Sequence, residues 1–229
     1  MASATDSPKG KVRFFDDFFG KALDATNWWN TNSDSGGTAF AINLQQNGVI
    51  RGGVDGTDND LTNLFGEVIW RADAGGPLTL EIRAKTVTSV ANGETYIGFS
   101  DATTDENPLL VSTTDVLTSA ADDAAGFMYT GGGTANWKVA GSKATADTAV
   151  YACNVGADNT PVVGTWQTFK IVINEDGDAD FYINGIFQRR VDNAVTATTL
   201  LNVAVCVQSG GTARSLDIDY IEVTSGRNA

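Results

Sequence analysis

The chain has 229 residues, with 15 Lys and Arg against 28 Asp and Glu and no His, a net charge of −13. Without histidine there is no Ser-His-Asp or Cys-His nucleophile, no imidazole base and no His-ligated zinc or iron. A sequence pI near 4.2 gives a field of the wrong sign for nucleic-acid phosphates and for an acidic membrane surface. The opening ten residues are small and polar, with no basic-then-apolar leader, so the expectation is synthesis without a signal peptide. They read, with Lys11 and Val12, as a flexible arm (1–12) ahead of one domain (13–229). The four phenylalanines Phe14, Phe15, Phe18 and Phe19 read as a first strand packing into the domain's own core.

Beyond Trp28-Trp29, short apolar runs predict strands at 39–44, 48–53, 66–72, 78–87 and 94–100. If Trp28 and Trp29 lie on a strand, one ring faces the core and the other faces outward, toward a glycan, a partner or the arm. Residues 115–125 are the one stretch compatible with a short helix. Strands follow at 125–130 and 136–140. Phe169, Ile171 and Ile173 then alternate with polar or second-face residues, as do Phe181 and Ile183. Between these runs Asp176-Gly177 predicts a hairpin turn, and Asn184-Gly185 predicts a second one before Ile186-Phe187. At 200–208, Val203, Val205 and Val207 share one face with Ala204 and Cys206 on the other, which predicts an inner strand covered on both sides. A last strand is expected at 215–224. About a dozen strands with frequent Gly, Asn and Asp turns predict an all-β, antiparallel two-sheet sandwich. Cys153 and Cys206 read as small core residues, with a disulfide between them left open.

Two ends of the chain resemble the concanavalin A-like lectin/glucanase jelly roll, the superfamily that includes laminin-G-like domains. The opening is Phe14-Phe15-Asp16-Asp17-Phe18-Phe19-Gly20, then Leu23-Asp24 and Trp28-Trp29. The close is Trp166 to Ile173, Asp180-Phe-Tyr182-Ile-Asn184-Gly185 and Leu216-Asp-Ile-Asp219-Tyr220-Ile-Glu-Val223. Gly66-Glu67-Val68 and Tyr96 to Asp101 fit its middle strands. The resemblance implies the jelly-roll fold and leaves function open, because that scaffold serves hydrolases, lectins and structural proteins.

The glucanase branch carries Glu-x-Asp-x-Glu on one strand, the spacing that sets a nucleophile and an acid about 5–5.5 Å apart. No strand here has it: Glu81 and Glu94 stand alone, and Asp217-x-Asp219 reads as turn and edge solvation on the closing strand. The expectation is therefore a chain that is not an enzyme, with no catalytic, cofactor-binding or metal-ligating residue assigned and no cofactor. Asp176-x-Asp178-x-Asp180 beside Glu175 looks superficially like a calcium loop, yet it lacks the distal bidentate Glu and is explained by turn chemistry. The looser clusters Asp101, Asp105, Glu106 and Asp55, Asp58, Asp60 read the same way.

Ala124-Ala-Gly126-Phe-Met-Tyr129, Gly131-Gly-Gly133 and Trp137-Lys-Val-Ala140 resemble virion proteins of tailed bacteriophages built on this jelly roll. That resemblance implies a non-enzymatic capsid decoration (cement) protein on the virion surface, made in the host cytoplasm. Its partners would be the major capsid protein and further copies of itself, without nucleic acid or membrane. Lys9, Lys11 and Arg13 would suit the arm to an acidic capsid. The alternative function is a carbohydrate-binding, lectin-like module for host or glycan adhesion.

Overall fold

The computed structural model describes residues 11–43, 48–104, 106–132 and 136–226, and these form strands and turns with no helix. The first half of the chain gives β1 (Val12–Asp16), β2 (Trp29–Ser33), β3 (Gly37–Asn43), β4 (Val49–Val54), β5 (Leu61–Gly66), β6 (Leu78–Thr86) and β7 (Gly93–Ser100). Next come β8 (Leu109–Val111), β9 (Leu117–Ser119), β10 (Ala124–Thr130), β11 (Lys138–Lys143), β12 (Ala146–Asp147) and β13 (Tyr151–Ala152). The chain closes with β14 (Gln167–Ile173), β15 (Ala179–Ile183), β16 (Ile186–Val191), β17 (Asn202–Ser209) and β18 (Arg214–Ser225).

Two antiparallel sheets result. Sheet A runs β16-β15-β14-β6-β18-β4-β3, with β1 added along the last five residues of β18. Sheet B runs β12-β11-β10-β7-β17-β5-β2, with β13 on β11. The expected antiparallel two-sheet sandwich is the observed fold. Period-two patterning accounts for sheet A directly: β6 and β14 alternate buried and half-buried positions over their whole length. The two predicted hairpins form as expected. Asn184 and Gly185 both take positive φ between β15 and β16, and Gly177 does so between β14 and β15, the left-handed backbone these turns require.

The inner faces meet in one aromatic-rich core. Phe127 lies edge-on against Phe169 and Phe181, with centroids 5.2 Å away in each case, and Trp137 packs on Phe169 at 4.7 Å. Burying the Trp137 indole leaves its N–H to be satisfied, and Gln167 Oε1 accepts it at 3.1 Å.

A second apolar cluster lies on the other side of sheet B, where Phe65, Tyr96, Met128, Ala204 and Cys206 are covered by Leu109 and Val111 of β8. The segment 101–123 therefore roofs the outer face of this sheet. Tyr96 lies flat over Gly126, where a Cβ would fall 2.4 Å from its ring, and its hydroxyl donates to the Phe99 carbonyl at 2.6 Å. Asn202 Nδ2 donates to the Ala102 carbonyl at 2.6 Å, and the Asp101 N–H to the Asp123 carbonyl at 2.9 Å. Lys138, fully buried on this face, pairs with Asp115 in the β8–β9 turn. Cover on both faces explains β17, where the valines enter the inner core while Ala204 and Cys206 enter the outer cluster. Cys153 belongs to the inner core, so the two cysteines occupy different clusters.

Three expectations are corrected. The helix over 115–125 does not form: Asp115 takes φ +63° and the Ser112 hydroxyl accepts the Thr114 and Val116 N–H groups, turning the chain into β9. The strand expected at 66–72 lies earlier, at 61–66, and 67–76 is a connection that carries the isolated Trp70–Leu201 bridge. Asp217 and Asp219 do not sit at an edge, because β18 runs between β6 and β4. Asp217 is fully buried between Arg51, at 2.6 Å, and Lys85, at 3.2 Å, while the bulged Asp219 pairs with Arg83.

Candidate functional site

The acidic candidates come first, and most are occupied by the fold. In the 174–180 hairpin, Asn174 Oδ1 accepts the Asp176 and Asp178 N–H groups, and Asp178 accepts from the Asn193 N–H. That last bond, with Asn174, holds the Asp178 carboxyl below its usual range. Asp180 forms a two-bond fork with Arg190, 2.7 Å in each arm. The Asp178 and Asp180 carboxylates are thus spent on turn and ladder, while Glu175 and Asp176 are exposed. Asp55 and Asp60 crowd around Gly36, whose added Cβ would fall 2.8 and 1.7 Å from their oxygens. Burial, then the charges of Asp55 and Asp34, raise the Asp60 carboxyl. Asp101 is likewise raised by burial, Glu106 is half-buried on its segment, and Asp105 lies outside the described residues.

A pairing that a single-strand search cannot see appears on the outer face of sheet A. Glu81 on β6 and Glu222 on β18 are direct register partners, a relation that brings Cβ atoms to about 4.5–5.5 Å. Tyr220 donates to Glu81 Oε1 at 2.8 Å, and Arg13 binds Glu222 Oε1 at 2.7 Å. Burial and the Glu81 contact push the Tyr220 hydroxyl up to about 12. The same face carries Trp166, with the Arg83 and Lys85 charges 4.7 and 4.4 Å from its ring centroid.

A cavity of about 520 Å³ forms a groove between β1 and the 67–76 connection. Its aromatic wall is built from the opening motif. Asp24 Oδ1 accepts the Thr26 and Asn27 N–H groups, and its carbonyl accepts those of Trp28 and Trp29, so the chain turns sharply into β2. Trp29 swings inward, 2% exposed, where Asp16 Oδ2 accepts its indole N–H at 2.8 Å. Trp28, still in that turn, points outward: it is 39% exposed and stacks on Phe14 with centroids 4.7 Å apart, tilted by 40°. One ring faces in and one out, as expected, but the turn sets this rather than strand alternation, because β2 begins only at Trp29. Phe15 and Ile69 extend the apolar wall. Arg71, forked onto Asp73 at 2.9 and 2.6 Å, and Arg13 stand at its edges. The four phenylalanines divide: Phe18 enters the core, Phe14 packs half-buried against it, and Phe15 and Phe19 are exposed.

Sequence reading found Trp28 through the adjacency of two tryptophans. It missed Ile69 and Arg71, since they come from a stretch read as a strand and carry no motif. It also missed the opposition of Glu81 and Glu222, which depends on register between strands 141 positions apart.

No protein-family model and no curated protein matches the chain. Solved structures do. The carbohydrate recognition domain of Emp47p superposes with a TM-score of 0.63 at 13% identity, covering 99% of this chain and 100% of that one. A Bacillus licheniformis β-glucanase gives 0.63 at 11% identity, over 92% and 97%. A sialidase gives 0.63 at 13% identity, covering 93% of this chain but 18% of its own, so this chain spans under a fifth of that protein. At these identities the likeness shows the fold, a concanavalin A-like jelly roll, as the sequence resemblance implied. The expectation that the chain is not an enzyme is overturned here. A β-glucanase and a sialidase share this architecture, and the absence of Glu-x-Asp-x-Glu from one strand does not separate the chain from them. The physical reason is the one seen on sheet A: two carboxylates can be brought together across a ladder as readily as along a strand.

Proposed function

We propose that the chain is a glycan-binding domain that lays a saccharide along the groove between β1 and the 67–76 connection. The observation that carries this reading is the outward-facing Trp28, backed by Phe14 and flanked by Phe15 and Ile69. An exposed, rigidly backed indole offers a flat apolar surface to the C–H face of a sugar ring. The arginines at the groove's edges offer fixed donors to its hydroxyls. Structures sharing the fold include one named as a carbohydrate recognition domain and one named a β-glucanase, which favours this reading over capsid decoration.

The test is a glycan array probed with the wild-type chain and with Trp28→Ala, with the same glycans assayed for released reducing ends. A central aromatic anchor contributes about 2 kcal/mol, roughly thirtyfold in affinity. Wild-type signals that fall by that factor in Trp28→Ala support the groove, and signals equal in the two proteins refute it.

A further inference from the structure

A second cavity, about 290 Å³, lies at one end of sheet B, away from the groove, between the β6–β7, β4–β5 and β17–β18 turns. Glycines allow these turns to close up. A Cβ on Gly131 would fall 2.3 Å from the Asn92 nitrogen, and the Gly210 N–H donates to the Asn92 carbonyl at 3.1 Å. Glu94 of β7 stands in this pocket, flanked across the ladders by Thr130 and Gln208. Its Oε2 is buried with no hydrogen-bond partner among the described residues. Asn107, 4% exposed, donates to Gln208 Oε1 at 3.4 Å, and its own Oδ1 is likewise unpartnered.

Of the two, Asn107 lies outside the pocket's lining and Glu94 within it, so the pocket holds one orphaned acceptor, and a buried acceptor left without a donor is unfavourable. The pocket therefore calls for a ligand rich in donors. Its charge has the matching sign: Asp58 joins Glu94 in the lining, and no Lys or Arg does so among the described residues. Arg214, the cation whose charge acts on Glu94, is buried and gives its Nη donors to Thr95 Oγ1 and the Ala91 carbonyl instead, while its Nε has no hydrogen-bond partner among the described residues. Burial outweighs its pull and pushes the Glu94 carboxyl up to about 7, the behaviour of an acid lacking a close counter-charge. Amide and hydroxyl groups make up much of the remaining lining, the partners that sugar hydroxyls use.

We propose that this pocket binds an amino sugar, with Glu94 receiving its ammonium group and Gln208, Asn92 and Thr130 facing its hydroxyls. The ammonium half stands on the unpartnered Glu94 carboxylate and the Asp58 charge beside it, whereas the saccharide half rests on the glycan-binding reading above.

The experiment is titration of the full chain at neutral pH with glucosamine, glucose and methylammonium, read by amide chemical shifts, for wild type, Glu94→Gln and Trp28→Ala. Glucosamine is expected to bind at least about tenfold more tightly than glucose, with shifts centred on residues 92–94, 130 and 208. Glu94→Gln loses that preference and melts no lower than the wild type at neutral pH, while Trp28→Ala retains the preference. Equal binding of glucosamine and glucose overturns the proposal, as does a preference unchanged in Glu94→Gln or lost in Trp28→Ala. Methylammonium binding as tightly as glucosamine overturns the amino-sugar assignment. Because neutral oligosaccharides are read at Trp28 and glucosamine at Glu94, failure of one site is distinguishable from failure of the other.

Discussion

Removing the carboxylate of Asp115 should destabilise the protein far more than removing the lysine it faces. Lys138 is 0% exposed, and its one ion-pair partner among the described residues is Asp115, which is half in solvent. Deleting one member of a buried pair leaves an uncompensated charge in an apolar face and costs about 3–5 kcal/mol. Partial exposure of Asp115 lets water reach the site once the carboxylate is gone, which brings the expected cost of Asp115→Ala to about 2–3 kcal/mol. Lys138→Met removes the buried charge while filling its space beside Ala140 and Met128, so its cost is expected below about 1 kcal/mol. The double variant should match Lys138→Met rather than the sum of the two. Urea unfolding of the four proteins gives these differences from the midpoints at constant slope. Hydrogen exchange should show the Asp115→Ala loss first in the 101–123 roof. If Lys138→Met proves the costlier single change, or the two effects add, the roof is not held by this pair and the reasoning fails.

Two further outcomes follow from buried charge. Asp217→Ala should cost about 3 kcal/mol, because it leaves Arg51 of β4 and Lys85 of β6 without the buried carboxylate between them; a cost within about 0.5 kcal/mol in urea unfolding would mark an ordinary surface position. Glu94 has a folded-state pKa raised to about 7 from 4.5, so the folded protein holds its proton where the unfolded chain has lost it. Its contribution is therefore fully present below about pH 4.5 and is lost as pH rises to 7, by at most about 3 kcal/mol. The wild-type stability minus that of Glu94→Gln should fall across this window, and a flat difference would contradict the buried, unpartnered carboxyl.

How much the sequence disclosed depended on whether a strand has one covered face or two. Sheet A strands such as 169–173 and 179–183 alternate cleanly, since one face meets the core and the other carries ion pairs, and they were legible along with their Asp-Gly and Asn-Gly turns. Sheet B is buried on both faces, so the alternation disappears. Leu61-Thr-Asn-Leu-Phe has no period because Leu64 serves the inner core while Leu61 and Phe65 serve the roof. The roof was misread as helical because its turn is made by Ser112 and a left-handed Asp115, a conformation that composition does not reveal. Trp28 stood out as one of two adjacent tryptophans, although its outward direction comes from the Asp24 turn and not from the strand alternation expected of the pair. The Glu94 pocket was not legible, since Asp58, Asn92 and Gln208 come together only through three turns remote in sequence.

The central claim is that an indole on the rim of the sandwich receives a saccharide. It is tested most directly by titrating the best array glycan into the chain while following tryptophan fluorescence. Trp29, Trp70 and Trp137 are buried, and Trp166 is half-buried on the outer face of sheet A, so a saturable change arising at Trp28 should vanish in Trp28→Ala and persist in Trp166→Phe, without a change in unfolding midpoint in either. A saturable signal that persists in Trp28→Ala, with affinity unchanged, would place the saccharide elsewhere and contradict the account.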